Sequence, residues 1–237
     1  MYKTFFTQSA TAFLLAAGTL SAHADAPDHR VFAAEGERRV LWVSPERGRT
    51  EPELHAAAQL AARGVETWSL DLVSAYFLPQ LPSSMDAVPA ADMAGFLRAG
   101  LAHGKSVLVY AVSRAAVPVL RGAAALDAAD RRRLCVMLVY PNLYTVAEPL
   151  AEPEYLAFGS LDGLRVNVLQ PRRSAATPWL PGLVDSLARQ GVTTRHVILE
   201  NLREGWWMRE TPTEFEIAES RRMDAMLLRE WDNWGCR

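Results

Sequence analysis

The chain has 237 residues, of which half are hydrophobic, and a formal net charge of −2. This near-neutral balance argues against a nucleic-acid-binding protein, because such proteins carry a marked excess of Lys and Arg. The length favours one large domain with a core of its own, which does not depend on disulfides for stability.

The first 24 residues have the three parts of a secretory signal peptide. Residues 1–3 include a Lys, an apolar run extends from Ala10 to Leu20, and residues 21–24 end in Ala-His-Ala. This order predicts export with cleavage after Ala24. The apolar run is shorter than the roughly 20 residues that span a membrane, and no later segment is apolar enough to do so. We therefore expect a periplasmic protein, with secretion beyond the envelope as the alternative.

After the signal peptide, residues 25–38 predict a flexible lead-in and residues 39–237 a single domain. Short apolar runs predict strands at 40–43, 65–70, 106–111, 134–140, 164–169 and 194–199. Helical patterns lie between them, at about 51–63, 90–103 and 114–121, from Thr177 or Leu180 to Gln190, and from Thr211 to the last residues. Residues 77–89 and 141–163 predict loops.

Two helix starts carry a capping signature. Residues 50–53 and residues 211–214 both read Thr-x-x-Glu with a Pro between the Thr and the Glu, and Gly64 marks the end of the first helix. Strands that are apolar throughout and alternate with helices are typical of a parallel sheet covered on both faces. The predicted fold class is therefore α/β, a three-layer, doubly wound and mainly parallel sheet.

The sequence lacks the motifs of common cofactor sites. No GxGxxG follows the first strand, and Gly104-Lys105-Ser106 precedes a strand without the upstream Gly of a phosphate-binding loop. No spacing of Cys and His is typical of a metal site. We expect neither a cofactor nor a metal.

The third predicted strand leads directly into a helix through a single Ser. Ala111-x-Ser113-x-Ala115 stands at this point. It resembles the G-x-S-x-G nucleophile elbow of the α/β-hydrolase superfamily, with Ala in place of both Gly residues. The order of strands and helices over most of residues 39–237 is similar to that fold. The resemblance implies Ser113 as a catalytic nucleophile; the alternative is a small residue that a tight turn requires and that caps the helix.

The partners that such a Ser needs are missing from their expected places. In the superfamily an acid follows the fifth of these strands and a His follows the sixth. Residues 170–173 read Gln-Pro-Arg-Arg, with no carboxylate until Asp185, and no His follows His196. His55 is out of order, and His103 and His196 fall at the opposite edge of the sheet. Because an unassisted Ser hydroxyl is a poor nucleophile, this pattern favours a protein that has lost the triad.

The predicted carboxyl ends of the strands are instead rich in Arg and aromatic residues. Ligands of parallel sheets bind at this edge, and Arg binds carboxylates and phosphates well. Trp206 and Trp207 are two adjacent indoles that one face cannot easily bury. We predict that this edge binds an anionic small molecule or a periplasmic protein, although the arginines could equally be solvated or ion-paired. The candidate binding residues are Arg47, Arg49, Tyr76, Arg114, Tyr144, Arg172, Arg173, Arg203, Trp206 and Trp207.

The chain contains two cysteines, Cys135 and Cys236. Cys135 lies in an apolar run, which predicts a buried free thiol, although an oxidising compartment would permit a disulfide with Cys236. The function expected from the sequence is thus ligand or partner binding by an exported α/β-hydrolase-like protein without a triad. A serine esterase or acyl hydrolase that uses Ser113 with an irregular base is the alternative, and a structural subunit of a periplasmic assembly is a third hypothesis.

Overall fold

The computed structural model of the chain describes residues 26–145 and 152–236, so the predicted signal peptide lies outside the described residues. Within them, no helix has both the length and the hydrophobicity needed to cross a membrane. The strands are β1 (Arg30–Phe32), β2 (Arg38–Val43), β3 (Val65–Leu70), β4 (Ser106–Val112), β5 (Leu134–Val139), β6 (Arg165–Arg173) and β7 (Thr193–Arg203). The helices are α1 (Glu51–Ala62), α2 (Leu72–Ala75), α3 (Ala90–Leu101), α4 (Ala116–Ala124), α5 (Ala128–Arg133), α6 (Leu180–Arg189), α7 (Glu214–Ser220) and α8 (Met223–Trp234).

The seven strands form one sheet in the order β1-β3-β2-β4-β5-β6-β7. All neighbouring strands are parallel except β1, which pairs antiparallel with β3. The mainly parallel α/β sheet predicted from the sequence is confirmed. Strand β1 falls inside the stretch 25–38 that the sequence predicts as flexible. Three residues are too few to give a strand pattern, and pairing with β3 supplies their hydrogen-bond partners.

Each face of the sheet has its own hydrophobic core, as expected for strands that are apolar on both sides. One core lies under α3, α4 and α6 and includes Phe96, Leu120 and Leu183. The other lies under α1 and α8 and includes Leu60 and Trp231. The chain is therefore built of three layers, helices on both sides of a sheet.

The predicted helix signals are correct at α1 and displaced at α7. Thr50 and Glu53 form the expected capping box, and Gly64 follows α1 with a φ of +79°, a conformation that glycine adopts without strain. At α7 the capping box joins Thr213 to Glu216 rather than Thr211 to Glu214. The Glu216 carboxylate is buried against the Arg203 guanidinium, and this tertiary ion pair selects the later of two equivalent sequence frames.

The last predicted helix is two helices, because α7 ends at Ser220 and α8 begins at Met223. Beyond α8, Cys236 is disulfide-bonded to Cys135 on β5. The prediction that Cys135 is a free thiol is wrong. The sequence could not decide the pairing, since 101 residues separate the two cysteines and only the packing of α8 on the sheet brings them together.

Glu53 connects the start of α1 to the core beneath the carboxyl edge of the sheet. Its carboxylate accepts hydrogen bonds from Trp42 Nε1 and from the backbone N–H and hydroxyl of Thr50. The side chain is 1% exposed. Burial raises the pKa of the Glu53 carboxyl to about 7, although the hydrogen bonds from Trp42 and Thr50 oppose that rise. Glu53 thereby fixes the position at which segment 44–50 leaves the sheet.

This raised pKa predicts a dependence of stability on pH. The folded chain binds more protons at Glu53 than the unfolded chain between about pH 4.5 and 7, so the stability contributed by Glu53 falls as the pH rises through that window. The total fall is about 3 kcal/mol. Urea unfolding of wild type and Glu53→Gln at several pH values should show a flatter pH slope in the variant. Equal slopes would contradict the assignment.

Candidate active site at the carboxyl edge of the sheet

Ser113 lies at the sharp turn between β4 and α4. Its φ is +52°, a left-handed conformation that is costly for a residue with a side chain. Residues 113–115 form a single 3₁₀ turn that leads into α4, and Ala111 and Ala115 on either side are fully buried. The structure thus places Ser113 at a strained strand-to-helix turn, as the resemblance to a nucleophile elbow implies.

The Ser113 hydroxyl has a carboxylate partner, Glu46. The hydroxyl donates a hydrogen bond to Glu46 Oε1 at 3.1 Å, and the backbone N–H of Arg114 donates to Glu46 Oε2 at 3.3 Å. Strands β2 and β4 are parallel neighbours, with Val43 opposite Ala111, so the segments that follow them meet at the same edge. The sequence does not predict this contact, because the superfamily pattern places the partners of the Ser after the fifth and sixth predicted strands, whereas Glu46 follows the first.

A cleft of about 490 Å³ opens above Ser113 and Glu46. Its other walls come from the end of β5, through Tyr140, and from the segment that follows β7. Three carboxylates and two guanidinium groups face it, those of Glu46, Glu204, Glu210, Arg47 and Arg209. The lining is therefore mixed in charge with an acidic excess, which differs from the cationic site expected from the sequence.

Tyr140 contributes a phenol to this cleft. Burial raises the pKa of Tyr140 well above its usual value, with Tyr110 and then Glu46 adding to the effect. Tyr140 therefore stays protonated at neutral pH. Its ring also packs against Trp207, at 5.9 Å between centroids.

Other residues occupy the places where the superfamily has its acid and His. Ser174 follows β6, and its hydroxyl donates a hydrogen bond to the carboxylate of Glu204, which follows β7. None of the described histidines lines the cleft above Ser113. His29 stacks on Trp68, His55 lies on α1, His103 is at the amino edge of β4, and His196 is within β7.

Most of the arginines predicted to bind an anion are engaged elsewhere. Arg114 pairs with Asp86 and also donates to the Tyr144 carbonyl, while Arg172 pairs with Glu200 and Arg203 with Glu216. Arg49 donates to the Ser69 carbonyl. Arg47 and Arg173 are exposed, and of the predicted residues only Arg47 lines the cleft together with Ser113. The six arginines do not converge on one site.

The predicted aromatic residues also lie apart from this cleft. Tyr76 donates a hydrogen bond to Asp92, and Tyr144 pairs across an isolated bridge with Tyr155. Trp206 and Trp207 are 0% and 6% exposed, so the expectation that the two indoles cannot both be buried is wrong. They meet edge to face at 4.5 Å within the core under α1 and α8, a geometry that lets adjacent residues share one core.

Comparison with known proteins supports the fold. No protein-family model matches the sequence, and no curated protein matches it. Among solved structures, it is similar to a protein described as a dienelactone hydrolase from Klebsiella pneumoniae subsp. pneumoniae, with a TM-score of 0.56, 16% identity, and coverage of 79% of this chain and 85% of the other. A hormone-sensitive lipase from a metagenome library has a TM-score of 0.55 and 14% identity, with coverage of 83% of this chain and 79% of the other. Est1E from Butyrivibrio proteoclasticus, described with ferulic acid bound, has a TM-score of 0.54 and 10% identity, with coverage of 85% of this chain and 94% of the other.

These solved structures share the fold of the sheet and helices described above. The chain has the α/β-hydrolase fold, as the resemblance at Ser113 implies. At identities of 10–16% the likeness establishes the fold, and the chemistry has to be argued from the residues of the site.

The positive φ of Ser113 predicts an inverted order of stability between two variants. Ser113→Gly and Ser113→Ala both remove the hydroxyl, and only Gly adopts this conformation without strain. We expect Ser113→Gly to be more stable than Ser113→Ala by about 1 kcal/mol, measured by urea unfolding. The usual order, with Ala the more stable, would show that the turn is not strained.

Proposed function

We propose that this protein is a serine hydrolase that cleaves an ester, with Ser113 as the nucleophile and Glu46 as the general base. The observation that carries the proposal is the hydrogen bond from the Ser113 hydroxyl to the Glu46 carboxylate at a strained strand-to-helix turn. Backbone strain of this kind persists where the surrounding structure holds it, and such residues cluster at active sites. The base is irregular, since a carboxylate takes the place of His.

The chemistry follows from these contacts. The Ser113 hydroxyl proton passes to Glu46 while Oγ attacks the ester carbonyl carbon, which gives a tetrahedral oxyanion. When the bond to the alcohol oxygen breaks, Glu46 returns the proton to the leaving alcohol, and an acyl-Ser113 ester remains. Water then attacks the acyl group, with Glu46 again accepting a proton, and this proton returns to Ser113 as the acid is released.

The backbone N–H of Arg114 is the donor suited to the oxyanion, because it belongs to the residue that follows the nucleophile. In the resting structure this N–H is bound to Glu46 Oε2. Glu46 is a weaker acceptor once it takes the Ser113 proton, so the same proton transfer that activates the nucleophile frees the Arg114 N–H for the developing negative charge.

A fluorophosphonate probe tests this assignment directly. We expect it to label Ser113 in the wild type, to leave Ser113→Ala unlabelled, and to label Glu46→Gln about 100-fold more slowly, because general base catalysis typically contributes 10²–10⁴-fold. Mass spectrometry locates the adduct and a time course gives the rate.

Glu210→Gln is the matched control for that experiment. Glu210 lines the same cleft but does not contact the Ser113 hydroxyl, so its variant should keep the wild-type labelling rate. An unlabelled but folded wild type would overturn the hydrolase proposal.

The absence of His from the described wall of the Ser113 cleft favours a second candidate function. In it the chain is a non-catalytic member of the fold that binds a small molecule or a periplasmic protein at this edge. The pairing of Arg114, Arg172 and Arg203 with carboxylates argues against an anion as the ligand. Folded wild-type protein that neither reacts with the probe nor hydrolyses esters would favour this candidate.

We also propose that the protein is exported to the periplasm after removal of residues 1–24. The Cys135–Cys236 disulfide supports this location, because disulfides persist in oxidising compartments and are rare in reducing ones.

Expression of the full chain in a Gram-negative host tests the proposal. We expect the protein in the periplasmic fraction, with Asp25 as its first residue by N-terminal sequencing and no free thiol by alkylation. Retention in the cytoplasm with residues 1–24 intact would contradict export.

A further inference from the structure

Tyr140 lies beside Ser113 at the carboxyl edge of the sheet. Val112 on β4 and Val139 on β5 form the last pair of their parallel ladder. Ser113 and Tyr140 are the next residues after these two strands, which run about 4.8 Å apart. The backbone N–H of Asn142 donates a hydrogen bond to the Ser113 carbonyl at 3.1 Å. The segment that carries Tyr140 is therefore joined directly to the turn that carries the proposed nucleophile.

The position of the Tyr140 side chain is fixed from both ends. Its φ is +35°, an uncommon value for a bulky residue, and such conformations persist only where the surrounding structure holds them. The ring packs against Trp207, which is 6% exposed. A Cβ built on Gly205 would lie 3.7 Å from the Tyr140 hydroxyl oxygen, so the phenol reaches the wall that the segment after β7 contributes to the cleft.

The Tyr140 hydroxyl is a donor that the folded chain does not use. Tyr140 lines the cleft above Ser113, and its hydroxyl makes no hydrogen bond to any residue that the structure describes. Burial raises the pKa of Tyr140 well above its usual value, so the phenol keeps its proton at neutral pH. A fixed, uncharged O–H group of this kind stabilises an oxygen atom that gains negative charge in the transition state.

The strand order places this donor on the opposite side of Ser113 from Glu46. Strand β4 lies between β2 and β5, and Glu46 follows β2 whereas Tyr140 follows β5. The Arg114 N–H, the proposed donor to the oxyanion, points to Glu46. An ester oxygen bound at that N–H directs the two other substituents of the tetrahedral carbon away from Glu46, towards β5. Of these two, only the alcohol oxygen gains negative charge, as its bond to carbon breaks.

We propose that Tyr140 is a catalytic residue whose hydroxyl donates a hydrogen bond to the leaving alcohol oxygen while Ser113 is acylated. This inference rests on the proposed hydrolase function and adds a residue to its machinery. The electron pair of the breaking C–O bond goes to the alcohol oxygen, the Tyr140 O–H stabilises that charge, and Glu46 supplies the proton that releases the alcohol. Tyr140 keeps its own proton throughout. The contact favours esters of unactivated alcohols, because their leaving oxygen carries the most charge.

The test compares the full chain and its Tyr140→Phe variant on the acetate esters of p-nitrophenol, phenol and ethanol. All three give the same acetyl-Ser113, and kcat/KM reports the steps up to that intermediate. We expect Tyr140→Phe to lower kcat/KM about 100-fold for ethyl acetate, since loss of one donor to a developing charge typically costs 10²–10³-fold. The loss for p-nitrophenyl acetate should be slight, because the nitrophenyl ring spreads the charge away from the leaving oxygen.

Tyr155→Phe is the matched control. It makes the same chemical change at a hydroxyl that donates to the Trp179 carbonyl, and Tyr155 does not line the cleft above Ser113. Its variant should keep the wild-type dependence of kcat/KM on the leaving group. Tyr140→Phe keeps the ring against Trp207 and removes a hydroxyl without a protein partner, so its urea unfolding should match that of the wild type.

The remaining outcomes separate the inference from the function on which it rests. Hydrolysis that depends on Ser113, with no loss in Tyr140→Phe or with an equal loss for all three esters, would support the hydrolase function and overturn the role of Tyr140. A leaving-group dependence that steepens equally in Tyr155→Phe would also overturn that role. A folded wild type that hydrolyses none of the three esters would overturn both.

Discussion

The hydrogen bond between the Ser113 hydroxyl and the Glu46 carboxylate joins two strand ends that are 67 residues apart in sequence. It depends on the parallel pairing of β2 with β4, which brings the segment after each strand to the same edge of the sheet. The strained backbone at Ser113 fixes the segment after β4. The buried carboxylate of Glu53 fixes the segment after β2. The position of the cleft above Ser113 and the proposed chemistry depend on this meeting of two strand ends.

The carboxyl edge is organised by internal pairing of charges. Glu46 takes the place of an external anion at the backbone N–H of Arg114, and Asp86 neutralises the Arg114 side chain. Glu204 and Ser174 stand where a His and an acid occur in the superfamily, and they bind each other. An edge rich in arginine thus presents a cleft with more carboxylates than guanidinium groups, which is better suited to a neutral ester than to an anion.

The segment after β7 is anchored in the core by its two tryptophans and also lines the cleft above Ser113. Trp206 and Trp207 anchor it in the core under α1 and α8, while Glu204 and Arg209 on either side remain at the surface and line the cleft. The disulfide from Cys236 to Cys135 holds the end of the chain beyond α8 to β5 in the same layer. This buried anchor holds the wall that the segment after β7 contributes to the cleft in place relative to Ser113.

The sequence by itself determined the layers of this protein and the turn at Ser113. Apolar runs such as 106–112 and 134–139 form buried parallel strands because both faces must be covered, and the capping box at Thr50 and the glycine at Gly64 are local signals. Only the tertiary structure decided which charges meet. Glu46 contacts Ser113, Arg203 pairs with Glu216 rather than Glu214 at the start of α7, and Cys135 bonds to Cys236. Strand order and helix packing bring these residues together, and no local sequence pattern indicates which distant residues will meet.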